Sequence, residues 1–349
     1  MVRVGQVSTA NTYVFGAASI CLNSLLILVI YFRSLKVIGS FKYMMIMSTV
    51  FDILYSAVYI LASPTFAAVE EMSSLLIVKG GLEMPMHFRR VTLVLFIVLL
   101  CQSIVTPPCL FVFRYLQICK SNFLTNNYGH LKFLLIIPVL MSGTASLMLC
   151  YASWPTEFDL KFFKDIAYEI NVKRTTDFLV ASLEKKGDIW VQLQSYAMVT
   201  VSIYLVVLML ITLAIMIFCT RCIIQAVKKN VSSKLRHLQI EVYRSLIAQF
   251  TVPFLLIHLP FYLCVLAPLV RVRTGVVSDY LPFLFAWSPA INPIVVLYFV
   301  RDYRRYLLSI LWPRKEENST ASVFYSSCKR PRAIADAMHI RPCQHRSSK

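Results

Sequence analysis

The sequence predicts an all-α membrane protein: a bundle of seven transmembrane helices with a short amphipathic helix after the last. Three observations carry that prediction. Seven stretches are long and apolar enough to cross a bilayer, Asp52 is the only Asp, Glu, Lys or Arg within any of them, and Lys and Arg crowd onto the segments of one side. A spanning helix needs about 20 apolar residues at about 1.5 Å each. Backbone amides in hydrocarbon must be satisfied within their own segment, which selects helices over open strands.

The spans read as Val4–Phe32, Tyr43–Val69, Val91–Phe113, Phe133–Thr156, Ile189–Thr220, Ser245–Val270 and Tyr280–Val300. The first is followed, not preceded, by Arg33, Lys36 and Lys42, so it is expected to stay as an anchor rather than leave as a signal peptide. Prolines fall in or near several spans (Pro64, Pro107, Pro108, Pro138, Pro253, Pro260, Pro289 and Pro293), where each removes a backbone bond and can kink its helix. Between the fourth and fifth spans, Glu157–Asp188 mixes seven acids and six bases with Phe158, Phe162, Phe163 and Tyr168. It reads either as a small cap over the bundle or as a solvated surface. After the seventh span, Tyr303, Tyr306, Leu307, Ile310 and Leu311 repeat at helical spacing opposite Arg301, Arg304 and Arg305. That pattern predicts a short basic helix lying on the leaflet. Beyond Pro313 the tail is polar and basic, and it is expected to be disordered. The organisation is therefore one membrane domain over 1–312 and a tail over 313–349.

The formal net charge of +18 reports topology rather than nucleic-acid binding. Segments on the side of the Arg33–Lys42 loop carry 23 Lys and Arg against five acids, while the other side carries 12 against 11. Cytoplasmic loops retain Lys and Arg, which puts the N-terminus outside and the C-terminus in the cytoplasm of a plasma-membrane protein. The same excess favours contact with anionic inner-leaflet lipid. Of ten cysteines, six lie in spans and four on the basic side, so no disulfide framework is expected. The sequons at Asn230 and Asn318 also lie on the basic side, where glycosylation does not occur.

Three polar residues fall at one depth. Asn23 lies ten residues from Arg33, Asp52 ten from Lys42, and Asn292 nine from Arg301. Each is thus roughly 14–15 Å from the basic boundary. Two readings are open. Asp52 bonds Asn23 and Asn292 in a buried switch, with a proton or a sodium ion, or the three are interhelical hydrogen-bond glue. Arg114 and Tyr115 close the third span, Arg114 either as a snorkelling anchor or as a contact for an intracellular partner. His258, near Pro260, Phe261 and Tyr262, and Trp287 in the seventh span are either packing residues or ligand contacts. Metalloprotease, Walker and nucleophile-elbow motifs are missing, and the chain has only nine glycines. Neither an enzyme nor a cofactor is expected.

Local motifs narrow the class. Val37-Ile-Gly-Ser-Phe-Lys-Tyr-Met-Met45 leading into Phe51-Asp-Ile-Leu-Tyr-Ser56, then Phe113-Arg-Tyr115, His237-Leu-Gln239, Leu246-Ile-Ala-Gln249 with Pro253, and Ser288-Pro-Ala-Ile-Asn-Pro-Ile294 running into Tyr298-Phe-Val-Arg-Asp-Tyr-Arg304 stand in order. Over about residues 10–312 they resemble nematode chemoreceptors of the Str type (serpentine receptor class r), within the G-protein-coupled receptors. Departures from the wider rhodopsin-like pattern are Phe113 in place of an acid before Arg114, a tyrosine that arrives only at Tyr298, and no cysteine in an outer loop. The resemblance implies a chemosensory receptor of sensory cilia that signals through a heterotrimeric G protein. On that basis a small, largely apolar molecule is expected among Tyr59, Gln102, His258, Tyr262 and Trp287. Arg114, Tyr115, Lys228, Lys229, Lys234 and Arg301 are expected to meet the G protein. The alternatives are a ligand-gated channel of the seven-helix odorant-receptor type, whose inside N-terminus conflicts with the charge bias, and a transporter, which the lack of repeats disfavours.

Overall fold

The structure is a computed structural model. It describes residues 4–33, 39–69, 74–120, 131–171, 177–183, 185, 187–230, 233–266 and 275–311; the tail over 313–349, with the sequon at Asn318, lies outside them. Its helices are α1 (Val4–Arg33), α2 (Phe41–Ala62), α3 (Met86–Cys119), α4 (Leu131–Ser153), α5 (Glu157–Asn171), α6 (Ile189–Asn230), α7 (Ser233–Pro253), α8 (Leu259–Leu266), α9 (Gly275–Phe299) and α10 (Arg301–Leu311). A π-helical turn over Phe254–His258 joins α7 to α8 as one continuous sixth span. Seven helices are long and apolar enough to cross a membrane.

Among these spans α3 and α9 are the most buried. α3 packs on α2, α4 and α6, and α9 packs on α1 and α7. The interior divides into two apolar cores along the bundle. One, toward the non-basic end, is built on Tyr55, Tyr59, Phe96, Phe261 and Phe285. The other, toward the basic end, is built on Phe41, Phe111, Phe113, Tyr243 and Tyr303.

The second span is shorter than expected. α2 stops at Ala62, because Ser63 turns into the left-handed region (φ 38°) and Pro64 follows. A residue before proline is driven out of helical geometry, so the chain leaves the helix there. Pro64–Val69 instead forms β1, which pairs antiparallel with β2 (Ser74–Lys79), and β2 pairs antiparallel with β3 (Phe178–Ser182). The register sets Phe66 opposite Ile77 and Ile77 opposite Leu179. Strand side chains alternate between faces. Phe66, Leu75, Ile77, Leu179 and Ala181 accordingly join the helical core, while Leu76, Val78, Phe178 and Val180 pack against Phe163 and Ala167 of α5. A sheet covered on both faces explains why Leu75–Val78 of β2 and Phe178–Ala181 of β3 are continuous apolar runs instead of alternating.

The described residues of Glu157–Asp188 therefore form part of a folded cap and are not merely a solvated surface. α5 begins with a reciprocal capping box: the Thr156 amide donates to Asp159 Oδ2 at 2.9 Å and the Asp159 amide to Thr156 Oγ1 at 3.2 Å. Lys185 closes the cap. Its ammonium lies 3.3 Å from Asp159 Oδ2 and donates to the Trp154 carbonyl at 3.0 Å and to Gln194 Oε1 at 3.1 Å. Both side chains are buried, and burial pulls Lys185 below its ordinary value while Asp159 opposes that fall. A second clasp sets Arg90 Nε at 3.1 Å from Asp177 Oδ1, with its guanidinium over the Trp154 ring.

α10 begins directly after α9. Tyr303 is fully buried in the basic-end core, with Tyr306 and Leu307 packed beside it, so this part of the amphipathic face is turned to protein rather than to lipid.

Candidate functional site

The mid-span polar network begins with a consequence of one proline, Pro293. In a regular helix the Pro289 carbonyl would accept a bond from the amide of residue 293, but Pro293 has no N–H. Asn23 of α1 fills the gap: its Nδ2 donates to Pro289 O at 3.0 Å and to Ser19 O at 2.9 Å. Ser19 Oγ in turn lies 2.7 Å from Ser56 Oγ of α2. Asn292 Nδ2 donates to Asp52 Oδ2 at 3.2 Å, which ties α9 to α2. Asp52 thus bonds Asn292 but not Asn23, whose amide is taken by the freed carbonyl. In place of the expected three-way bond there are two separate ties on α9.

Asp52 and Asn292 open onto a cavity of about 40 Å³, also lined by Ser48, Tyr55, Ser103, Gln249 and Ser288. That is room for about two or three waters. The Tyr55 hydroxyl, Ser288 Oγ and Asn292 Oδ1 are buried with no protein partner among the described residues. Water in the cavity would satisfy them. One carboxylate among amides and hydroxyls suits water or a monovalent cation better than a hard divalent ion, which takes six or more oxygens. Among the described residues no cluster of three His, Cys, Asp or Glu could hold a metal.

The five residues expected around a ligand separate into groups. Tyr59, His258 and Tyr262 are buried in the non-basic half of the bundle. Tyr59 stacks on Tyr55 at 5.9 Å and donates to the Pro282 carbonyl at 2.9 Å. His258 Nε2 lies 3.4 Å from Ser103 Oγ, and the Tyr262 hydroxyl has no partner among the described residues. Gln102 faces α4, where it accepts a bond from Ser142. Trp287 faces α1, its ring 5.5 Å from Phe15 and its Nε1 donating to Asn11 at 3.0 Å, with 36% of its surface exposed. Neither joins the core that holds the other three. The π turn sits between Pro253 and Pro260 and ends on His258, so the local backbone irregularity and the polar side chains coincide.

At the basic end Arg114 does not snorkel. It is 1% exposed, donates to Gln117 Oε1 at 2.7 Å and to Gln239 Oε1 of α7, and sits 5.0 Å over the Phe41 ring. With Phe113 in place of an acid, amide oxygens and a ring face take the role of a carboxylate. A second clasp joins α7 to α10: Arg301 Nε lies 3.0 Å from Glu241 Oε1, and the Arg301 amide donates to Glu241 Oε2 at 3.4 Å. His237 Nδ1 stands 3.2 Å from the same carboxylate. Two of the expected partner contacts, Arg114 and Arg301, are therefore engaged internally. Tyr115 packs on Phe218 at 5.9 Å. Lys228 and Lys229 are exposed at the end of α6; the Lys234 side chain lies outside the described residues.

Sequence reasoning missed Gln239 and Glu241. Glu241 carried a signal, as the only acid between Arg221 and Arg244. Gln239 carried none beyond its place in a motif.

The family model described as serpentine type 7TM GPCR chemoreceptor Str matches residues 8–308. The Caenorhabditis elegans G-protein coupled receptor str-33 is 25% identical over 309 residues, covering 85% of this chain and 88% of the relative. Serpentine receptor class r-10 is 23% identical in C. elegans (84% and 88% covered) and 21% identical in Caenorhabditis briggsae (89% and 92%). Among solved structures, squid rhodopsin superposes with a TM-score of 0.54 at 13% identity, over 89% of this chain and 85% of that one. At that identity the likeness concerns the fold alone.

Proposed function

Because the chain belongs to the serpentine type 7TM GPCR chemoreceptor Str family, we propose that it binds a small environmental molecule outside the cell and activates a heterotrimeric G protein inside. The basic end is the cytoplasmic one, the N-terminus is extracellular, and the protein acts at the plasma membrane of sensory cilia. The charge asymmetry of the loops supports this orientation.

The observation that carries the reading is the state of the sixth span. Its basic end is clasped on two sides, to α3 through Arg114 and Gln239 and to α10 through Glu241 and Arg301. Its middle carries a π turn flanked by two prolines, a place where a helix can pivot. A ligand against His258 and Tyr262 acts on that turn directly, and the free Tyr262 hydroxyl offers it a hydrogen bond. Tyr59 lines the same core; Gln102 and Trp287 act from its flanks by holding α4 and α1. A ligand shifts the balance only by its differential affinity for the two arrangements. Opening of the clasps frees Arg114 and Arg301 to join Tyr115, Lys228, Lys229 and Lys234 against the G protein. Asp52, Asn23 and Asn292 fix α9 during the movement, with cavity water or a sodium ion at Asp52. Anionic inner-leaflet lipid borders the basic end.

The test is expression with a G-protein reporter and a screen of volatile and soluble compounds. Arg114→Ala is expected to abolish the response with surface expression intact, and an undiminished response would refute its role. Ligand currents that persist under G-protein blockade would favour a channel, and concentrative uptake would favour a transporter.

A further inference from the structure

At the basic end α6 and α7 diverge and leave a groove of about 310 Å³ between them. That volume lies at the lower end of the range for ligand sites, about 300–1,000 Å³. Ile224 and Val227 of α6 face Ile240 and Ile247 of α7 across it, and Lys228 and Arg244 stand at its walls. Ile224 and Ile247 are 37% and 38% exposed, unlike the core residues beside them. Both helices belong to membrane spans, and the apolar run of α6 is broken first by Arg221, so the groove lies where hydrocarbon meets headgroups.

The two cations distinguish this groove from an ordinary seam between helices. Among the described residues neither Lys228 nor Arg244 has an ion pair, while the nearby Glu241 is engaged by Arg301 and His237. An apolar slot at the membrane boundary with two unneutralised cations is complementary to an anionic phospholipid: an acyl chain in the slot and a phosphate against Lys228 and Arg244. A soluble phosphate would leave the isoleucine walls wet, and a zwitterionic lipid would bring a third positive charge beside its phosphate and leave the pair of cations only partly offset.

We propose that the groove between α6 and α7 is a binding site for one anionic phospholipid of the leaflet at the basic end. The site gives a position to the inner-leaflet lipid contact proposed above and rests on that reading for its leaflet. Gln239, which holds Arg114, also lines the groove. Lipid occupancy therefore reaches the α3–α7 clasp through a shared side chain.

The experiment uses the full chain in nanodiscs of phosphatidylcholine doped with photo-crosslinkable phosphatidylserine or phosphatidylinositol bisphosphate, with crosslinks mapped by mass spectrometry. Both leaflets carry the same lipid, so the outcome does not depend on orientation, and an inverted chain would fail only the topology reading. Crosslinks are expected on α6 and α7 within residues 223–247, in preference over a phosphatidylcholine probe. Lys228→Ala with Arg244→Ala should cut that preference roughly thirtyfold, from two charges near the surface. Lys228→Arg with Arg244→Lys should keep it, as should Lys229→Ala, whose side chain does not line the groove. Equal labelling by phosphatidylcholine, labelling confined to other helices, or an unchanged preference in the double alanine variant would each overturn the site. Full competition by soluble inositol phosphate would show a headgroup-only patch and overturn the acyl slot, and protection of Lys228 from amine labelling by the G protein in lipid-free detergent, with no protection when the anionic lipid is added back instead, would assign the groove to that partner.

Discussion

Gln239→Ala isolates the clasp between α3 and α7. The Arg114 guanidinium is 1% exposed, and its polar partners among the described residues are Gln117 and Gln239. Truncating Gln239 leaves a buried cation one acceptor short. A hydrogen bond to a charged group contributes about 1.5–3 kcal/mol. A loss of about 2 kcal/mol moves a two-state balance by up to roughly thirtyfold toward the arrangement in which Arg114 reaches water. The assay is agonist-independent nucleotide exchange on the G protein, normalised to receptor at the cell surface. Gln239→Ala should raise it. Gln239→Glu gives Arg114 a carboxylate and should lower it while raising the melting temperature. If both substitutions move basal exchange in the same direction, or if Gln239→Ala lowers thermal stability and leaves exchange flat, the clasp is packing and not a latch.

Asn23→Ala leaves the Pro289 carbonyl buried and unsatisfied and should cost about 1–3 kcal/mol of stability in a detergent melt. Adding Pro293→Ala restores a helix N–H to that carbonyl and should recover part of the loss, which a simple packing defect would not allow. In the cap, Lys185→Met strands the buried Asp159 carboxylate and should cost about 3–5 kcal/mol, whereas Lys185→Met with Asp159→Leu should be much milder. Because burial lowers the folded value of Lys185, the unfolded chain binds more protons between that value and the ordinary lysine value. Stability of the cap should therefore climb as pH rises through this window, and an alkaline loss assigned to Lys185 by the Met variant would contradict the assignment. Glu241→Gln removes a clasp whose Arg301 partner is 55% exposed, so solvent screening limits the effect to about 1 kcal/mol, roughly a fivefold rise in basal exchange. High salt should reproduce that rise in the unmodified chain.

The seven spans were legible because a bilayer punishes charge and the chain places almost none within them. The end of α2 was not. Pro64–Val69 is as apolar as a span, since β1 is covered by protein, and a short buried strand cannot be told from the last turns of a helix by composition. Pro64 was visible as a kink; that it ends the helix depends on the left-handed Ser63 and on pairing with residues 74–79. β1 and β2 are a local hairpin, but β3 joins β2 from about a hundred residues away, and no local signal specifies that register. α5 was more accessible, through the Thr156–Asp159 box. Within the site, counting residues from the basic boundary set Asn23, Asp52 and Asn292 level with one another, and the hydrogen bonds found are Asn23 to Pro289 and Asn292 to Asp52. Which of them bond depends on helix rotation, which depth does not determine. Pro293 leaves the carbonyl four residues before it without a helix donor, but nothing local names Asn23 as the group that supplies one. Rotation also separates Gln102 and Trp287 from Tyr59, His258 and Tyr262. Arg114 looked like a surface anchor because its partner Gln239 lies 125 positions away in sequence.

The most direct test of the account is accessibility of the two chain ends in intact cells. An N-terminal tag should bind antibody on unpermeabilised cells, and a C-terminal tag should bind only after permeabilisation, with the Asn230 sequon unglycosylated. A hidden N-terminal tag with an exposed C-terminal one, or a glycan on Asn230, would place the clasped basic end outside the cell, where no G protein could meet it; two tags in one compartment would contradict the seven-span count itself.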